Sequence, residues 1–217
     1  MRSTLIRSSS IVLASSLLLV LVAARSDAAL ILSNFGESLR AATPIANPVY
    51  WAAQSFSTDV DYDLTTVAAI MGNATGVPDA VIELRGSDAS GEIDQTPGGL
   101  LTQFTAPDLS GALAARTFTP TSAVTLLAGV PYWFVVGTNT EGFDWGYAAD
   151  VAAGTTGPGA IGPFADSDDA GVTFIYRDFT FPYFIEVHGD VVPEPGTLLL
   201  AGLGLVGLGL RRRGAAK

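Results

Sequence analysis

Few residues of this chain have the types and spacing that catalysis needs. His188 is the only histidine, so a Ser-His-Asp arrangement would have to include it. It lies at the end of the last predicted strand, where a partly exposed, non-catalytic position is expected. Paired carboxylates of the glycosidase type could be chosen among the 19 acidic residues between positions 29 and 192, but that abundance makes any one pair uninformative. We therefore predict no catalytic residue and no enzymatic activity.

Two acidic runs could offer oxygen ligands to Ca²⁺, a hard cation that prefers carboxylates. Residues 59–63 (D-V-D-Y-D) begin like a calcium loop, but no glycine stands at the sixth place and no acid at the twelfth. Residues 166–171 (D-S-D-D-A-G) also lack the ligand spacing. Solvated acidic turns are therefore the favoured interpretation. We assign no metal ligand and no cofactor-binding residue, with calcium binding as the alternative.

Several aromatic side chains could stack on sugar rings, as in carbohydrate-binding sandwiches. These are Trp51, Trp133, Trp145, Tyr50 and Tyr147. Large aromatics in a cysteine-free β domain are more often part of the core, and Trp133 is predicted to be buried. Trp145 and Tyr147 lie close to a predicted turn at Asp144, which makes them the better candidates for exposure.

Between its two ends the chain has the pattern of an all-β domain. Short apolar runs are separated by clusters of Gly, Pro, Asn, Asp and Ser, and no window before the tail has an apolar stripe of helical period. Residues 132–136 are apolar on both faces, which is typical of a central buried strand. We predict an antiparallel β-sandwich, jelly-roll-like in type. The predicted strands are 29–34, 52–57, 64–71, 80–85, 100–104, 116–119, 132–137, 143–148, 172–176 and 183–188.

Residues 29–190 are predicted to form this one domain, which must rely on its hydrophobic core because the chain has no cysteine. Residues 148–170 are dense in Gly, Ala, Pro and Asp, and predict a surface loop or an insert. From residue 29 to residue 192 four arginines face 19 acidic residues, a net charge of −15. Such a surface repels nucleic acid and anionic lipid, so no nucleic-acid partner is expected.

Residues 1–28 have the layout of a secretory signal peptide. Two arginines precede an apolar run at 11–24, and S-D-A at 26–28 offers a cleavage site of the A-x-A kind. We predict cleavage between Ala28 and Ala29, with signal peptidase and the general secretion machinery as partners. An uncleaved N-terminal anchor is the alternative, although the run is short for a membrane span.

The C-terminal residues 191–217 contain three parts in order. The first is a stiff, extended segment that a processing enzyme can grip in a groove, formed by Pro193, Glu194 and Pro195. The second is an apolar stretch at 197–210, which as a helix reaches about 21 Å and inserts where a bilayer core of roughly 30 Å thins. The third is a basic membrane stop on the cytoplasmic side, formed by Arg211, Arg212 and Arg213.

This tail resembles the PEP-CTERM sorting signal of Gram-negative bacteria. The resemblance covers residues 192–213, where the motif, the apolar span and the basic cluster occur in order. In that family a membrane-embedded exosortase is thought to process the tail, so the resemblance implies an exosortase-like partner. A plain C-terminal membrane anchor is the alternative.

Short motifs in the middle of the chain carry a second resemblance. Q-S-F-S-T at 54–58, V-I-E-L at 81–84 and a G-x-x-Y-W pattern from Gly129 to Trp133 follow one another in order. Over about residues 30–147 the chain looks like the choice-anchor domains, bacterial β-rich ectodomains that are paired with alternative sorting tails. The resemblance implies no known enzymatic activity and no defined ligand.

Together these features predict an exported, non-catalytic surface or extracellular-matrix protein that an exosortase-type system sorts through its tail. The tail is expected to hold the chain transiently in the inner membrane with the β domain outside, before the protein reaches the cell surface or the medium. Extracellular polysaccharide, as in a biofilm matrix, is the expected partner. A carbohydrate- or calcium-binding surface module is the first alternative, and a secreted hydrolase is the second.

Overall fold

The computed structural model describes residues 28–74, 76, 79–88, 96–149, 155–177 and 181–193. This part of the chain contains strands and connecting loops but no helix. Its strands are β1 (Ala29–Ser33), β2 (Leu39–Ile45), β3 (Trp51–Ser57), β4 (Tyr62–Gly72), β5 (Ala80–Ser87), β6 (Pro97–Thr105), β7 (Ala114–Pro120), β8 (Thr125–Leu126), β9 (Pro131–Thr138), β10 (Phe143–Ala148), β11 (Ala160–Ser167), β12 (Ile175–Tyr176) and β13 (Ile185–Val191).

The strands form two layers joined at one corner. Sheet 1 has the order β1-β13-β4-β7, with β8 and β10 also paired to β4 and with β2 paired to β10. Sheet 2 has the order β6-β5-β9-β3-β11-β12. A short pairing between β6 and β7 connects the sheets. Every strand pairing among the described residues is antiparallel.

The main core lies between the two sheets and follows from the two-residue period of the strands. Val67 and Ala69 of β4 point inward from sheet 1, and Phe134 and Val136 of β9 point inward from sheet 2. Burying one such phenylalanine or valine side chain contributes about 1.5–3 kcal/mol, so these alternating positions dominate the stability of the fold. The predicted all-β, antiparallel architecture is confirmed, and the two packed layers agree with the predicted sandwich.

A second, smaller core covers the outer face of sheet 2. Trp51, Trp133 and Val135 are buried there, and Phe174 packs against them from the segment after β11. The alternate residues of β9 therefore enter one core or the other. This arrangement confirms that residues 132–136 form a buried central strand, since β9 lies between β5 and β3.

Three strands were absent from the sequence prediction, namely β2, β8 and β11. The prediction of a loop or insert at residues 148–170 is wrong for the part that forms β11. β11 contains Gly162 and Pro163, which weaken its pattern, and it is held on β3 by Gln54, whose amide donates to both of their carbonyl oxygens. β12 covers only two residues of the strand predicted at 172–176.

The predicted signal peptide at residues 1–28 and the predicted apolar helix at 197–210 lie outside the described residues, except for Ala28. Within the described ranges no helix has the length and apolar character that a membrane crossing requires.

Candidate functional site: the strand end from which the tail departs

The sorting tail begins where the sheet ends. β13 runs to Val191, which pairs with Tyr62 of β4. The next amide, that of Val192, donates to the carbonyl oxygen of Asp61 at 2.9 Å. Pro193 follows and is exposed. The motif therefore starts one residue after the last backbone hydrogen bond of the domain, while Glu194, Pro195 and the arginines at 211–213 lie outside the described residues.

Asp61 organises this strand end through two of its oxygen groups. Its carbonyl oxygen accepts from the Val192 amide, and its carboxylate accepts from the amide of Ala128 at 2.8 Å. The turn that contains Ala128 is also tied to the end of β3, because the Gly129 amide donates to the carbonyl oxygen of Thr58 at 2.8 Å. The three segments around residues 58–61, 127–130 and 191–193 consequently meet at one end of the sandwich.

The N-terminal strand starts at the same end. Ala29, the first residue of β1, pairs with Gly189 near the end of β13. Ala28 and Ala29 are both exposed. The predicted signal-cleavage position therefore lies beside the point at which the C-terminal tail departs, and both ends of the domain point the same way.

The three carboxylates of the first acidic run, residues 59–63, accept hydrogen bonds from neighbouring groups of the protein. Asp59 accepts from the Tyr62 hydroxyl at 3.2 Å, and Asp63 accepts from the Thr125 hydroxyl at 2.6 Å. With the Asp61 contact to Ala128, each of the three carboxylates has a donor from the protein. Nowhere in the described ranges do three or more acidic or histidine side chains gather as a metal site would need.

Asp63 also has an acidic neighbour that the sequence pattern did not reveal. It stands directly opposite Asp190 in the pairing of β4 with β13. One carboxylate oxygen of Asp190 is buried without a hydrogen-bond partner, and so is the hydroxyl of Thr65. Like charges placed directly opposite in a sheet are destabilising, so electrostatic repulsion disfavours the pairing of the end of β13 with β4.

The second acidic run, residues 166–171, covers the last two residues of β11 and the tightly bonded turn that follows. Asp169 accepts hydrogen bonds from the hydroxyl and amide of Thr173 and from the hydroxyl of Ser167. These bonds, led by that of the Thr173 hydroxyl, lower the pKa of Asp169 to about 2. Asp166 pairs with Arg177 at 3.0 Å. The predicted turn is therefore present at residues 168–171, whereas Asp166 and Ser167 belong to β11.

Trp145 is buried, so the prediction that it is exposed is wrong. Its ring stacks on that of Tyr183 with 4.2 Å between centroids, and its indole N–H donates to the carbonyl oxygen of Phe184 at 3.2 Å. The turn near Asp144 lies beside it, but β10 is an inner strand of sheet 1 and carries the ring into the core. Trp133 is fully buried, as predicted.

A rim of partly exposed aromatic rings lies beyond this core, formed by Tyr50, Tyr147 and Phe181. Tyr147 contacts the rings of both Phe181 and Tyr183, with 6.2 and 6.3 Å between centroids. The guanidinium of Arg40 lies 3.7 Å from the centroid of the Phe181 ring. Burial raises the pKa of Tyr183, which keeps this tyrosine neutral beneath the rim. Sequence reasoning singled out Tyr50 and Tyr147 but missed Phe181 and Arg40, although the F-P-Y-F run at 181–184 was a visible signal.

His188 is partly exposed on β13, in agreement with the prediction for this position. Its Nε2 lies 2.9 Å from a carboxylate oxygen of Glu186, and 29% of each side chain is accessible. Glu186 and His188 are two residues apart on one strand, so they share a face of the sheet.

Comparison with known proteins identifies the tail. Residues 191–213 match the family model described as the PEP-CTERM protein-sorting motif. The match begins at the last residue of β13 and ends at Arg213, so it includes Pro193, Glu194 and Pro195. No protein of curated function is significantly similar to the chain.

The chain therefore carries a PEP-CTERM sorting motif. Such a motif implies an exported protein that is anchored in a membrane through its C-terminus until an exosortase-type membrane enzyme processes it.

Proposed function

We propose that this chain is a non-catalytic surface or extracellular-matrix protein of a Gram-negative bacterium. In this proposal the general secretion machinery exports the chain, signal peptidase cuts between Ala28 and Ala29, and an exosortase-like enzyme then cuts near Pro193–Pro195. The mature β domain remains at the cell surface or enters the extracellular matrix. Extracellular polysaccharide is its expected partner there.

One observation carries the proposal. The sorting motif follows the last strand of a packed domain with a single residue, Val192, between them. The exposed Pro193 follows the end of β13 and is accessible to an enzyme that approaches from the membrane. Sorting through a tail attached in this way carries the whole folded domain to its destination.

A non-catalytic role is supported by how the candidate catalytic groups are used. The ring of His188 pairs with Glu186 on the strand surface. In the two acidic runs, Asp61 and Asp63 accept hydrogen bonds from Ala128 and Thr125 of the neighbouring loop and strand, Asp169 accepts from its own turn, and Asp166 pairs with Arg177. A glycoside hydrolase would instead need two carboxylates that face each other across a cleft.

A second candidate function, carbohydrate binding by the exported domain, is favoured by the aromatic rim. Sugar rings stack on partly exposed aromatic faces, and Tyr147 and Phe181 lie beside the cation of Arg40. Titration of surface polysaccharide from the host onto the domain tests this idea, with Tyr147→Ala as the variant. Equal binding by the wild type and the variant would remove the rim from consideration.

The sorting proposal is tested by fractionating cells that produce the chain. Replacing Pro193, Glu194 and Pro195 together by alanine should leave the full-length chain in the membrane fraction, because the enzyme loses the stiff segment that it grips. The matched control is Pro48→Ala, which alters an exposed proline far along the chain from the tail. Equal release of the triple variant and the wild type would refute exosortase-type sorting.

A further inference from the structure

The ladder on each side of β13 is interrupted next to His188, before it with β1 and after it with β4. In β4 the register shifts between the partners of His188 and Gly189, so that Thr65 has no residue opposite it. In β1 the register shifts at Ile31. Extra residues of this kind disrupt hydrogen bonding locally and bend the strand that contains them. The end of β13 is thus separated from the rest of the strand by a bulge in each neighbour.

Beyond these bulges β13 soon has only one neighbour. Gly189 is opposite Ala29, the first residue of β1, and neither Asp190 nor Val191 has a partner in that strand. These two residues pair with β4 alone, and Val191 is half-exposed. Local opening is easiest where few buried contacts and exposed backbone hydrogen bonds hold a segment.

Electrostatics also disfavour the pairing of Asp190 with β4. Asp190 and Asp63 stand directly opposite each other, and one oxygen of Asp190 is buried without a partner. Burial of an unsatisfied polar atom and juxtaposition of like charges both disfavour the paired state. Separation from β4 would return the Asp190 carboxylate to water.

The position of the motif is a further reason to expect that the end of β13 separates from β4. An enzyme that grips Pro193–Pro195 in a groove holds an extended peptide by its backbone, and each residue of that peptide spans only about 3.3–3.6 Å. Val192 is the single residue between the motif and β13, and its amide is bonded to Asp61. The backbone directly upstream of the motif is therefore already occupied by the domain's own sheet.

We propose that residues 189–192 form a release segment, which leaves β4 when the processing enzyme binds the motif. The enzyme's substrate then consists of the motif together with this strand end. This inference rests on the proposed function, since it concerns how the sorting enzyme gains access to the tail.

A disulfide that fastens the release segment tests the inference, and the chain has no cysteine of its own to interfere. Asp63→Cys/Asp190→Cys joins two directly opposite residues within the release segment and its partner strand. In the oxidising space outside the inner membrane the bond should form, and gel mobility without reductant reports it. We expect tail processing of the oxidised precursor to slow by about tenfold or more, and to recover on reduction.

Thr66→Cys/His188→Cys is the matched control, because this opposite pair joins the same two strands before the bulge. It should be processed at the wild-type rate. Processing of the stapled Asp63/Asp190 variant at the rate of this control would overturn the inference. Asp63→Thr/Asp190→Thr needs no cross-link and should also slow processing, because it replaces like charges by residues that favour strands.

Hydrogen exchange on the purified full-length chain in detergent separates failure of the inference from failure of the sorting proposal. Amides of residues 189–192 should exchange roughly tenfold faster or more than those of residues 185–187 in the same strand. Equal protection along β13 would overturn the release segment even if processing occurs. An exported wild-type chain that is never processed would refute the sorting proposal, and the exchange rates alone would then decide whether the strand end opens.

Discussion

Asp169 shows how one exposed carboxylate can organise a turn of this domain. Its two oxygens accept hydrogen bonds from Ser167 and Thr173, and the turn carries Gly171 at φ +74° against the Trp51 ring. A β carbon at Gly171 would lie 2.5 Å from that ring, so the close approach requires glycine. The acidic run therefore has a structural role, because it positions the segment that packs over the second core.

The low pKa of Asp169 has a consequence for acid stability. A carboxyl with a folded-state pKa of about 2 stabilises the fold above its unfolded value of about 3.9, and this contribution is lost as the pH falls through the folded value. Asp169→Asn should therefore lower the melting temperature at pH 6, and the difference from wild type should shrink between pH 4 and pH 2. A difference that stays constant over this range would contradict the assignment. Thermal unfolding monitored by circular dichroism at a series of pH values provides the measurement.

At the scale of elements, the outer face of sheet 2 depends on one buried ion pair. Arg85 bonds Glu83 at 2.8 Å and donates to the carbonyl oxygen of Gly171 at 3.0 Å. Its guanidinium lies 5.8 Å from the Trp51 ring centroid and 5.5 Å from that of Phe174. The side chain thereby links β5 to the segment that covers the second core.

Arg85→Ala should lower the free energy of unfolding much more than replacement of the exposed Arg177. Arg85→Ala leaves the buried Glu83 without its partner, and a loss of about 3–5 kcal/mol in the free energy of unfolding is expected. Arg177→Ala breaks a pair whose arginine side chain is 45% exposed, and a loss of about 0–1 kcal/mol is expected. Urea unfolding of both variants makes the comparison. Similar losses of unfolding free energy in the two variants would show that the Arg85–Glu83 pair stabilises the fold no more than the exposed Arg177 pair does.

Strong local patterns made several elements predictable. β4 and β9 were predicted because long runs of apolar and β-branched residues specify buried strands without help from distant contacts. β2 was missed because it is an edge strand with exposed residues and Pro44, so it has no clear alternation. β11 was missed because the side chain of Gln54, more than a hundred positions away, secures its glycine and proline.

The candidate site was predictable only in its motif. Pro193–Pro195 and the basic cluster could be recognised because their order along the chain defines them. The opposition of Asp63 to Asp190 depends on strand pairing and on a bulge at Thr65, and neither is encoded in the local sequence. Likewise, Trp145 is buried because of its neighbours in sheet 1, whereas its local sequence indicated a turn.

At the scale of the whole molecule, both ends of the domain lie side by side on neighbouring strands. β1 and β13 pair at Ala29 and Gly189, and the strands of the described residues all fall between positions 29 and 191. A chain trimmed to residues 29–192 should therefore keep the complete core and unfold in a single cooperative transition. Coincident urea curves from tryptophan fluorescence and far-ultraviolet circular dichroism would agree with this expectation. Separate transitions would show that the trimmed domain does not unfold as one cooperative unit.

Intact mass measurement of the protein recovered from membrane, surface and medium fractions of its own host tests the central claim most directly. The account predicts a mature species in the surface or medium fraction that begins near Ala29 and ends near Pro193–Pro195, with the full-length tail absent. A chain that keeps Leu210 and the following arginines in the membrane fraction, with no shorter product elsewhere, would contradict it. The tail would then be a permanent anchor.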